Sequence, residues 1–213
     1  ITITTTTTTS DQNYTIDWGD GSKDSGVTGG ITHTYDAAGT YTVEVNGDFS
    51  NIYFDTDTNN GDNTDGRKLL TIEQWGDIKW STMSNAFKYC RNLVINASDA
   101  PDLSNVTDVS SMFKYATNFN SDISHWDVSS VTNMSGMFSS AETFNADISQ
   151  WDVSSVIDMS EMFDMADVFN ADISQWDVSA VTDMDQMFSH ALAYNQNLSL
   201  WDVSSVTDMG WMF

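Results

Sequence analysis

The sequence predicts a multidomain chain in which a β-sandwich is followed by an α/β solenoid built from 25-residue repeats. Three observations predict this fold class: alternating strand-like residues up to position 54, a Trp-Asp pair that recurs every 25 residues, and apolar residues at helical spacing within each repeat. The predicted domains are the sandwich over 1–54, an acidic turn-rich linker over 55–68 and the solenoid over 69–213. A unit this short cannot bury its apolar face alone, so successive copies are expected to stack.

Short alternating segments predict the N-terminal sandwich. YTIDW (14–18), THTY (32–35) and TYTVEV (40–45) alternate in the manner of strands, and Gly19-Asp20-Gly21 supplies a turn. The threonine tract at 4–9 predicts a first strand, with a glycosylated linker as the alternative. A strand at this terminus is also able to pair with the sheet edge of another subunit.

Each repeat contains a strand-like and a helix-like segment. Repeats begin at residues 75, 101, 126, 151 and 176, a partial copy begins at 201, and residues 69–74 form an N-terminal cap. Ile148, Trp151 and Val153 have the spacing of a strand, and the apolar residues over 156–166 have the spacing of a short helix. Each unit is therefore predicted to be a strand, a tight turn, a short helix and a return loop.

The same spacing predicts which side chains face inward. The repeated Trp and Phe rings are expected to stack in the core, and the repeated Asn amides to bond the backbone of the next repeat. This predicted core ladder consists of Trp126, Trp151, Trp176, Trp201, Phe138, Phe163, Phe188, Asn120, Asn145, Asn170 and Asn195. Trp80 and Trp211 fall outside the repeat register and are predicted to be exposed.

The chain is strongly acidic. It has 7 basic and 31 acidic residues, a formal net charge of −24, and no Lys or Arg after Lys114. Such a field repels phosphate backbones, so nucleic-acid binding is excluded. No apolar run predicts a transmembrane segment in this chain. Because the sequence begins with Ile1 and stops within a repeat, we expect it to be part of a longer protein.

One outward carboxylate per repeat predicts an exposed acidic face. It is formed by Asp102, Asp127, Asp152, Asp177 and Asp202. Carboxylates on adjacent strands, about 4.8 Å apart, repel each other, so something must screen them. Three explanations remain open: calcium bound by Asp127, Asp152, Asp177 and Asp202, high ambient salt, or hydrogen bonds to neighbouring serines and backbone amides.

A second calcium signal lies in the linker. Asp55, Asp57 and Asn59 supply oxygens at the first, third and fifth positions of a calcium loop, but Asn60 and Gly66 depart from its pattern. The alternative is a solvated turn-rich loop. Calcium is the single cofactor that the sequence suggests.

No residues have the spacing of a catalytic site. Cys90 falls where the other repeats have alanine, which predicts a small buried residue, and none of His33, His125 and His190 has a nucleophile or a metal partner at a fixed spacing. A ladder of identical carboxylates also lacks the two contrasting environments that an acid and a base need. The sequence therefore predicts a protein without enzymatic activity.

The N-terminal segment resembles the PKD family. TIDWGDGS (15–22) followed by HTYDAAGTYTVEV (33–45) contains both halves of the family signature. The resemblance implies an immunoglobulin-like sandwich of the kind that acts as a spacer or binding module in extracellular bacterial proteins.

The repeat WDVSSVTxMSxMFxxAxxFNxDIS resembles the BspA-like leucine-rich repeats, also called DUF285 repeats, over residues 75–213. Departures are mild: Tyr194 replaces Phe, Asn197 replaces Asp, and Pro101 replaces Trp. The resemblance, with the PKD-like segment ahead of it, implies a cell-surface protein of a marine bacterium of the Bacteroidota, with a role in adhesion.

The favoured function is an extracellular, surface-displayed binding or adhesion protein that contacts a surface protein or a glycan. The alternative is a structural subunit of an extracellular filament or sheath, assembled from copies of this chain through terminal strands and solenoid ends.

Overall fold

The computed structural model describes residues 1–5, 12–54 and 65–213. The strands in chain order are β1 (Thr2–Ile3), β2 (Asn13–Asp17), β3 (Lys23–Val27), β4 (Ile31–Thr32), β5 (Glu44–Asp48), β6 (Thr71–Ile72) and β7 (Val94–Ile95). A single turn of 3-10 helix spans Gly66–Lys68. The described ranges contain no α-helix.

The N-terminal segment forms two small antiparallel sheets. β2 pairs with β3 on one side and with β5 on the other, whereas β1 pairs with β4. Tyr14 and Ile16 project from β2 into the core and are buried. The predicted sandwich is wrong for the described residues, because sheets of three and two strands fall short of the seven or so strands of a sandwich.

Most of the predicted strands THTY and TYTVEV is loop, because only Thr32 of the first and residues 44–45 of the second lie in strands. The Tyr35 hydroxyl donates to the Trp18 carbonyl and the Tyr41 hydroxyl donates to the Ala37 carbonyl, so side chains rather than a strand ladder hold this region. The two tyrosine rings stack with their centroids 4.1 Å apart. Of the threonine tract, Thr4 forms an isolated bridge with Tyr53, and positions 6–11 lie outside the described residues.

Successive repeats are joined to one another by backbone hydrogen bonds. We call residues 75–100, 101–125, 126–150, 151–175, 176–200 and 201–213 coils 1 to 6. Isolated parallel bridges connect coils 2 to 6 at Asp108, Asn133, Asp158, Asp183 and Asp208. β6 of the N-terminal cap pairs with β7 of coil 1, also in parallel, so the cap and coil 1 are joined by the same kind of pairing.

Overlapping β-turns replace the predicted helix in every complete coil. In coil 4, the N–H groups of Met162, Asp164 and Ala166 donate to carbonyls three residues back. The alternate N–H groups point to coil 5: Glu161 donates to Asp185 at 2.8 Å and Phe163 donates to Met187 at 2.9 Å. A helix would use all of these donors within one segment and leave none to join the coils.

Backbone conformation explains why no helix forms. Glu161 and Met165 have φ values of 54° and 55°, in the left-handed region that an α-helix cannot include. The equivalent pair in coil 5, Gln186 and His190, has φ values of 55° and 56°. The overlapping turns still bring Met159, Met162, Phe163 and Ala166 to the buried side, so their sequence spacing resembles that of a helix.

The predicted α/β solenoid is therefore wrong. The segments that contain Trp126, Trp151 and Trp176 form no strand, and the turn segments form no helix. Inter-coil hydrogen bonds made from β-turns take the place of a continuous parallel sheet with helices behind it. The repeat region is a turn-rich, largely irregular chain whose order comes from contacts between repeats.

The core runs through all the complete coils. Trp126, Trp151 and Trp176 are at most 4% exposed. The rings of Phe138 and Phe163 stack with centroids 5.8 Å apart, and this column continues in both directions. Aromatic stacking of this kind adds to the free energy gained from burial alone.

The N-terminal segment packs against coil 1. The Ser81 N–H donates to the Ser50 carbonyl at 2.8 Å, and the rings of Phe49 and Trp80 meet edge to face at 5.8 Å. Trp80 is therefore buried, contrary to the prediction, because its partner comes from a segment distant in sequence. Trp211 is 83% exposed, as the sequence predicts.

Candidate functional site

The most regular surface feature is a row of aspartates, one per coil. We call Asp102, Asp127, Asp152, Asp177 and Asp202 the Asp row. Asp102 is partly exposed and the other four are exposed. In each, one carboxylate oxygen accepts a hydrogen bond from the N–H of the serine two residues later, as from Ser154 to Asp152 at 3.1 Å.

The serine hydroxyls complete the turn around each carboxylate. The Ser154 hydroxyl donates to the same oxygen of Asp152 at 2.6 Å, and the Ser179 hydroxyl to Asp177 at 2.7 Å. The serine hydroxyl and N–H bonds hold the pKa of Asp152 below its usual range, although the charges of Asp127 and Asp177 act in the opposite direction. Of the explanations for a tolerated row of like charges, hydrogen bonding to serine is thus present in the structure.

One member of the Asp row, Asp102, pairs with a cation of the chain itself. Lys79 of coil 1 forms a parallel bridge with Asp102, and its ammonium group contacts the second carboxylate oxygen of that residue. The Lys79 side chain is the largest cause of the lowered pKa of Asp102, followed by Ser104. The corresponding oxygens of Asp127, Asp152 and Asp177 have no protein partner among the described residues.

A second set of side chains, three aspartates and one asparagine, recurs with the repeat and forms the same kind of turn. Its members are Asp122, Asp147, Asp172 and Asn197, and each accepts the N–H of the serine two residues later at 2.9 to 3.0 Å. Bonds from Ser149 lower the pKa of Asp147 despite the opposing charges of Asp122 and Asp172. Asn197 makes the same turn without a charge, so the turn geometry itself does not require a carboxylate.

The asparagines predicted as a ladder bond one another across the coils. The side-chain oxygen of Asn120 accepts the N–H of Asn145 at 2.8 Å, and Asn145 accepts in the same way from Asn170, which accepts from Asn195. Asn120, Asn145 and Asn195 are exposed, so this ladder runs along the surface and not through the core.

No metal centre is evident in the described part of the chain. Residues 1–5, 12–54 and 65–213 contain no group of three or more His, Cys, Asp or Glu side chains arranged to hold an ion. The predicted calcium ligands Asp55, Asp57 and Asn59 lie outside the described residues. Calcium on the Asp row stays a prediction.

Two arrangements of potentially reactive side chains, at His190 and at Cys90, occur among the described residues. Ser189, His190 and Asp164 lie together, but the Ser189 hydroxyl (2.9 Å) and the Asp164 carboxylate (3.9 Å) both approach the same ring nitrogen, Nδ1 of His190, so no proton relay is formed. Burial raises the pKa of the Cys90 thiol far above its usual value, which leaves the thiol unreactive.

A shallow pocket of about 290 Å³ lies on the Asp row. It is lined by Ser174, Gln175, Trp176, Asp177, Val178, Leu200 and Asp202. Pockets that enclose drug-sized ligands have volumes of roughly 300–1,000 Å³ and are mostly apolar. This open, carboxylate-lined site suits contact with the surface of a larger partner better than enclosure of a small molecule.

The repeats match a known family. The model of the family described as "Mycoplasma protein of unknown function, DUF285" matches residues 81–176 and 148–213, which together cover more than half of the chain. This chain belongs to the DUF285 family. The match supports the resemblance to the BspA-like repeats, and its ranges do not extend to the PKD-like residues 1–54.

Other comparisons add no relative of this DUF285 protein. A search of the curated proteins gives no match. A search of the solved structures gives none either. Within the described ranges, no helix has the length and apolarity needed to cross a lipid bilayer.

Two contacts were not foreseen from the sequence. Lys79 pairs with Asp102 across 23 residues, two fewer than the repeat length. Lys114 pairs with Glu161 across 47 residues, which spans a complete intervening coil. The sequence feature that could have drawn attention to this ion pair is that Lys114 is the last Lys or Arg of the chain.

Proposed function

We propose that this DUF285 protein is an extracellular, surface-displayed binding or adhesion protein without catalytic activity. The observation that carries the proposal is the Asp row, in which a serine fixes one oxygen of each carboxylate. At Asp102 the second oxygen accepts the ammonium group of Lys79, which shows the kind of group that such an oxygen can bind. A surface with fixed, evenly repeated acceptors favours an extended partner that carries several cationic groups.

The turn geometry supports binding because it prepares the carboxylates in advance. Asp127, Asp152 and Asp177 are each held by a serine hydroxyl at 2.6 to 2.7 Å, so little side-chain freedom is lost on contact with a partner. A surface protein with a basic patch or an amino-bearing glycan fits this chemistry. The PKD-like segment at 1–54 is proposed to act as a spacer between the repeats and their point of attachment.

The test compares two variants of equal net charge. The row variant replaces Asp127, Asp152, Asp177 and Asp202 with Asn, which keeps the serine-bonded oxygen. The control variant replaces four exposed carboxylates elsewhere, Asp36 and Asp167 with Asn and Glu44 and Glu142 with Gln. Binding is measured on a biosensor surface coated with poly-L-lysine, at several salt concentrations.

We expect the row variant to bind at least tenfold more weakly than the control variant, since each removes four charges but only one removes the row. Equal binding by the two variants would sink the proposal. Negative-stain images of the purified chain test the alternative. Isolated particles would support a binding protein, and regular filaments would favour a structural subunit.

A further inference from the structure

Lys114 and Glu161 form an ion pair that passes over a complete coil. The ammonium nitrogen of Lys114 lies 2.8 Å from Oε2 of Glu161. Lys114 belongs to coil 2 and Glu161 to coil 4, so coil 3 lies between them and contributes neither partner. By comparison, the ion pairs of Lys79 with Asp102 and of His190 with Asp164 each join neighbouring coils.

Gly136 of coil 3 makes room for this contact. It occupies the position of Ser111 in coil 2 and Glu161 in coil 4, and all three have φ values between 54° and 59°. A Cβ on Gly136 would lie 3.3 Å from the Ser111 hydroxyl and 3.7 Å from Cδ and Nζ of Lys114. Any longer side chain there would therefore meet the lysine.

The pair crosses a small polar hollow. Ser111, Ser135 and Ser160 line it together with Lys114, Gly136 and Glu161, and its volume is about 180 Å³. The Lys114 side chain is 19% exposed and that of Glu161 is 42% exposed, so solvent screens the pair only in part.

Lys114 is also tied to coil 1 through aromatic rings. Its ammonium group lies 5.8 Å from the centroid of the Tyr115 ring, and Tyr115 stacks on Tyr89 with centroids 4.7 Å apart. The contacts around Lys114 thus link coils 1, 2 and 4 on the turn side of the molecule. Coil 3 therefore lies between coils that these contacts hold together.

We propose that Lys114 and Glu161 act as a strap that prevents coil 3 from opening independently of its neighbours. Opening of coil 3 breaks its turn-segment bonds to coil 4, such as those from Gly136 to Ser160 and from Phe138 to Met162. The strap holds coils 2 and 4 together while those bonds are broken, so the coil can leave only when the strap breaks as well.

Native-state hydrogen exchange of the full chain, read by NMR, tests the strap. The amides to follow are those of Gly136 and Phe138, which lie in the coil that carries neither partner. Lys114→Met and Glu161→Gln should each accelerate exchange there by about two- to fivefold, the range of a partly exposed ion pair. The double variant should be no faster than either single variant, because both remove the same contact.

Two references separate the strap from a general loss of stability. Lys79→Met removes an ion pair between neighbouring coils and should leave exchange at Gly136 and Phe138 unchanged. The amides of Asn85 and Phe87 in coil 1 should keep their rates in the Glu161→Gln variant, which leaves the contact between Lys114 and Tyr115 in place. Unchanged exchange in coil 3, additive effects in the double variant, or equal acceleration in coil 1 would each overturn the proposal.

Discussion

The indole nitrogen of Trp151 donates a hydrogen bond to the backbone carbonyl of Ile123, 3.1 Å away and 28 residues earlier in the chain. Trp176 and Trp201 make the same bond to Ile148 and Ile173. The indole nitrogen of Trp126 has no hydrogen-bond partner among the described residues. The repeated tryptophan therefore joins neighbouring coils by a polar bond as well as by packing, except at its first occurrence.

This difference gives a matched pair of substitutions. Trp126 and Trp151 are equally buried, so Trp→Phe removes a similar apolar area at either site. Trp151→Phe also removes a hydrogen bond between neighbouring coils, and should lower the free energy of unfolding by about 1 kcal/mol more than Trp126→Phe. Urea denaturation of both variants measures the difference. A larger loss for Trp126→Phe would contradict the role assigned to the indole bond.

The left-handed residues of the turn segments offer a stabilising substitution. Met165 is half exposed and has a φ of 55°, a conformation that costs a non-glycine residue about 1–2 kcal/mol. After allowance for the greater flexibility of glycine in the unfolded chain, Met165→Gly should raise the free energy of unfolding by about 0.5–1 kcal/mol. Val168→Gly, at an exposed site of the same coil without a positive φ, serves as the control and should be destabilising. Thermal denaturation distinguishes the two, and a destabilised Met165→Gly would refute the expectation.

The turn around Asp152 can be separated from its charge. Asp152→Asn keeps an oxygen for the Ser154 N–H, as Asn133 does for Ser135, and should leave stability nearly unchanged. Asp152→Ala leaves that N–H and the Ser154 hydroxyl without their acceptor, and should cost about 0.5–1.5 kcal/mol. If both variants lost the same stability in urea titrations, charge and not the turn would be the important property.

Asp164 predicts a dependence of stability on pH. Burial raises its pKa above the ordinary value of an aspartate. Since the folded protein disfavours the charged form, this residue lowers stability at neutral pH, and the loss is recovered as the pH falls through the raised pKa. Asp164→Asn should therefore raise the melting temperature by about 1–2 °C at pH 7, and the gain should shrink towards pH 4. Asp167→Asn, an exposed site in the same coil, controls for the change of net charge. A gain that is constant from pH 7 to pH 4 would contradict this reading.

Removal of calcium tests the metal prediction for the Asp row. If Asp127, Asp152, Asp177 and Asp202 bind calcium, a chelator should lower the melting temperature by several degrees in low-salt buffer. The row variant with four asparagines should then be insensitive to the chelator. An unchanged melt of the native chain would show that the serine hydrogen bonds suffice to hold the carboxylates.

The sequence of one repeat determines which side chains are buried, whereas the neighbouring repeats determine the backbone conformation. The period of 25 residues and the spacing of Trp151, Met159 and Phe163 reflect which side chains are buried, and these follow from apolar pattern alone. The choice between a helix and overlapping turns depends on backbone bonds to the next coil, which the pattern within one repeat does not reveal. Glu161 and Met165, both good helix formers, give no local sign that they adopt a left-handed conformation.

The candidate site divides in the same way. The repetition of Asp127, Asp152 and Asp177 was visible in the sequence, and so was a serine two residues after each. The ion pairs of Lys79 with Asp102 and of Lys114 with Glu161 were not visible in the sequence, because their partners are separated by distances other than the 25-residue period. Trp80 is buried for a similar reason, since it meets Phe49 from outside the repeats.

Although flanking residues such as Thr132 and Ile157 donate back to the previous coil, alternate N–H groups of the turn segments donate forward, to carbonyls in the next coil. Met134, Gly136, Phe138 and Ser140 of coil 3 donate in this way to Asp158, Ser160, Met162 and Asp164 of coil 4. The peptide dipoles of these forward bonds align head to tail, with their negative pole towards coil 1 and their positive pole towards the later coils. Every Lys and Arg lies at or before Lys114, near the negative pole, and the later coils carry only carboxylates. The cations thus lie on the side of the negative pole of these turn peptides, and the stretch without cations lies on the side of the positive pole.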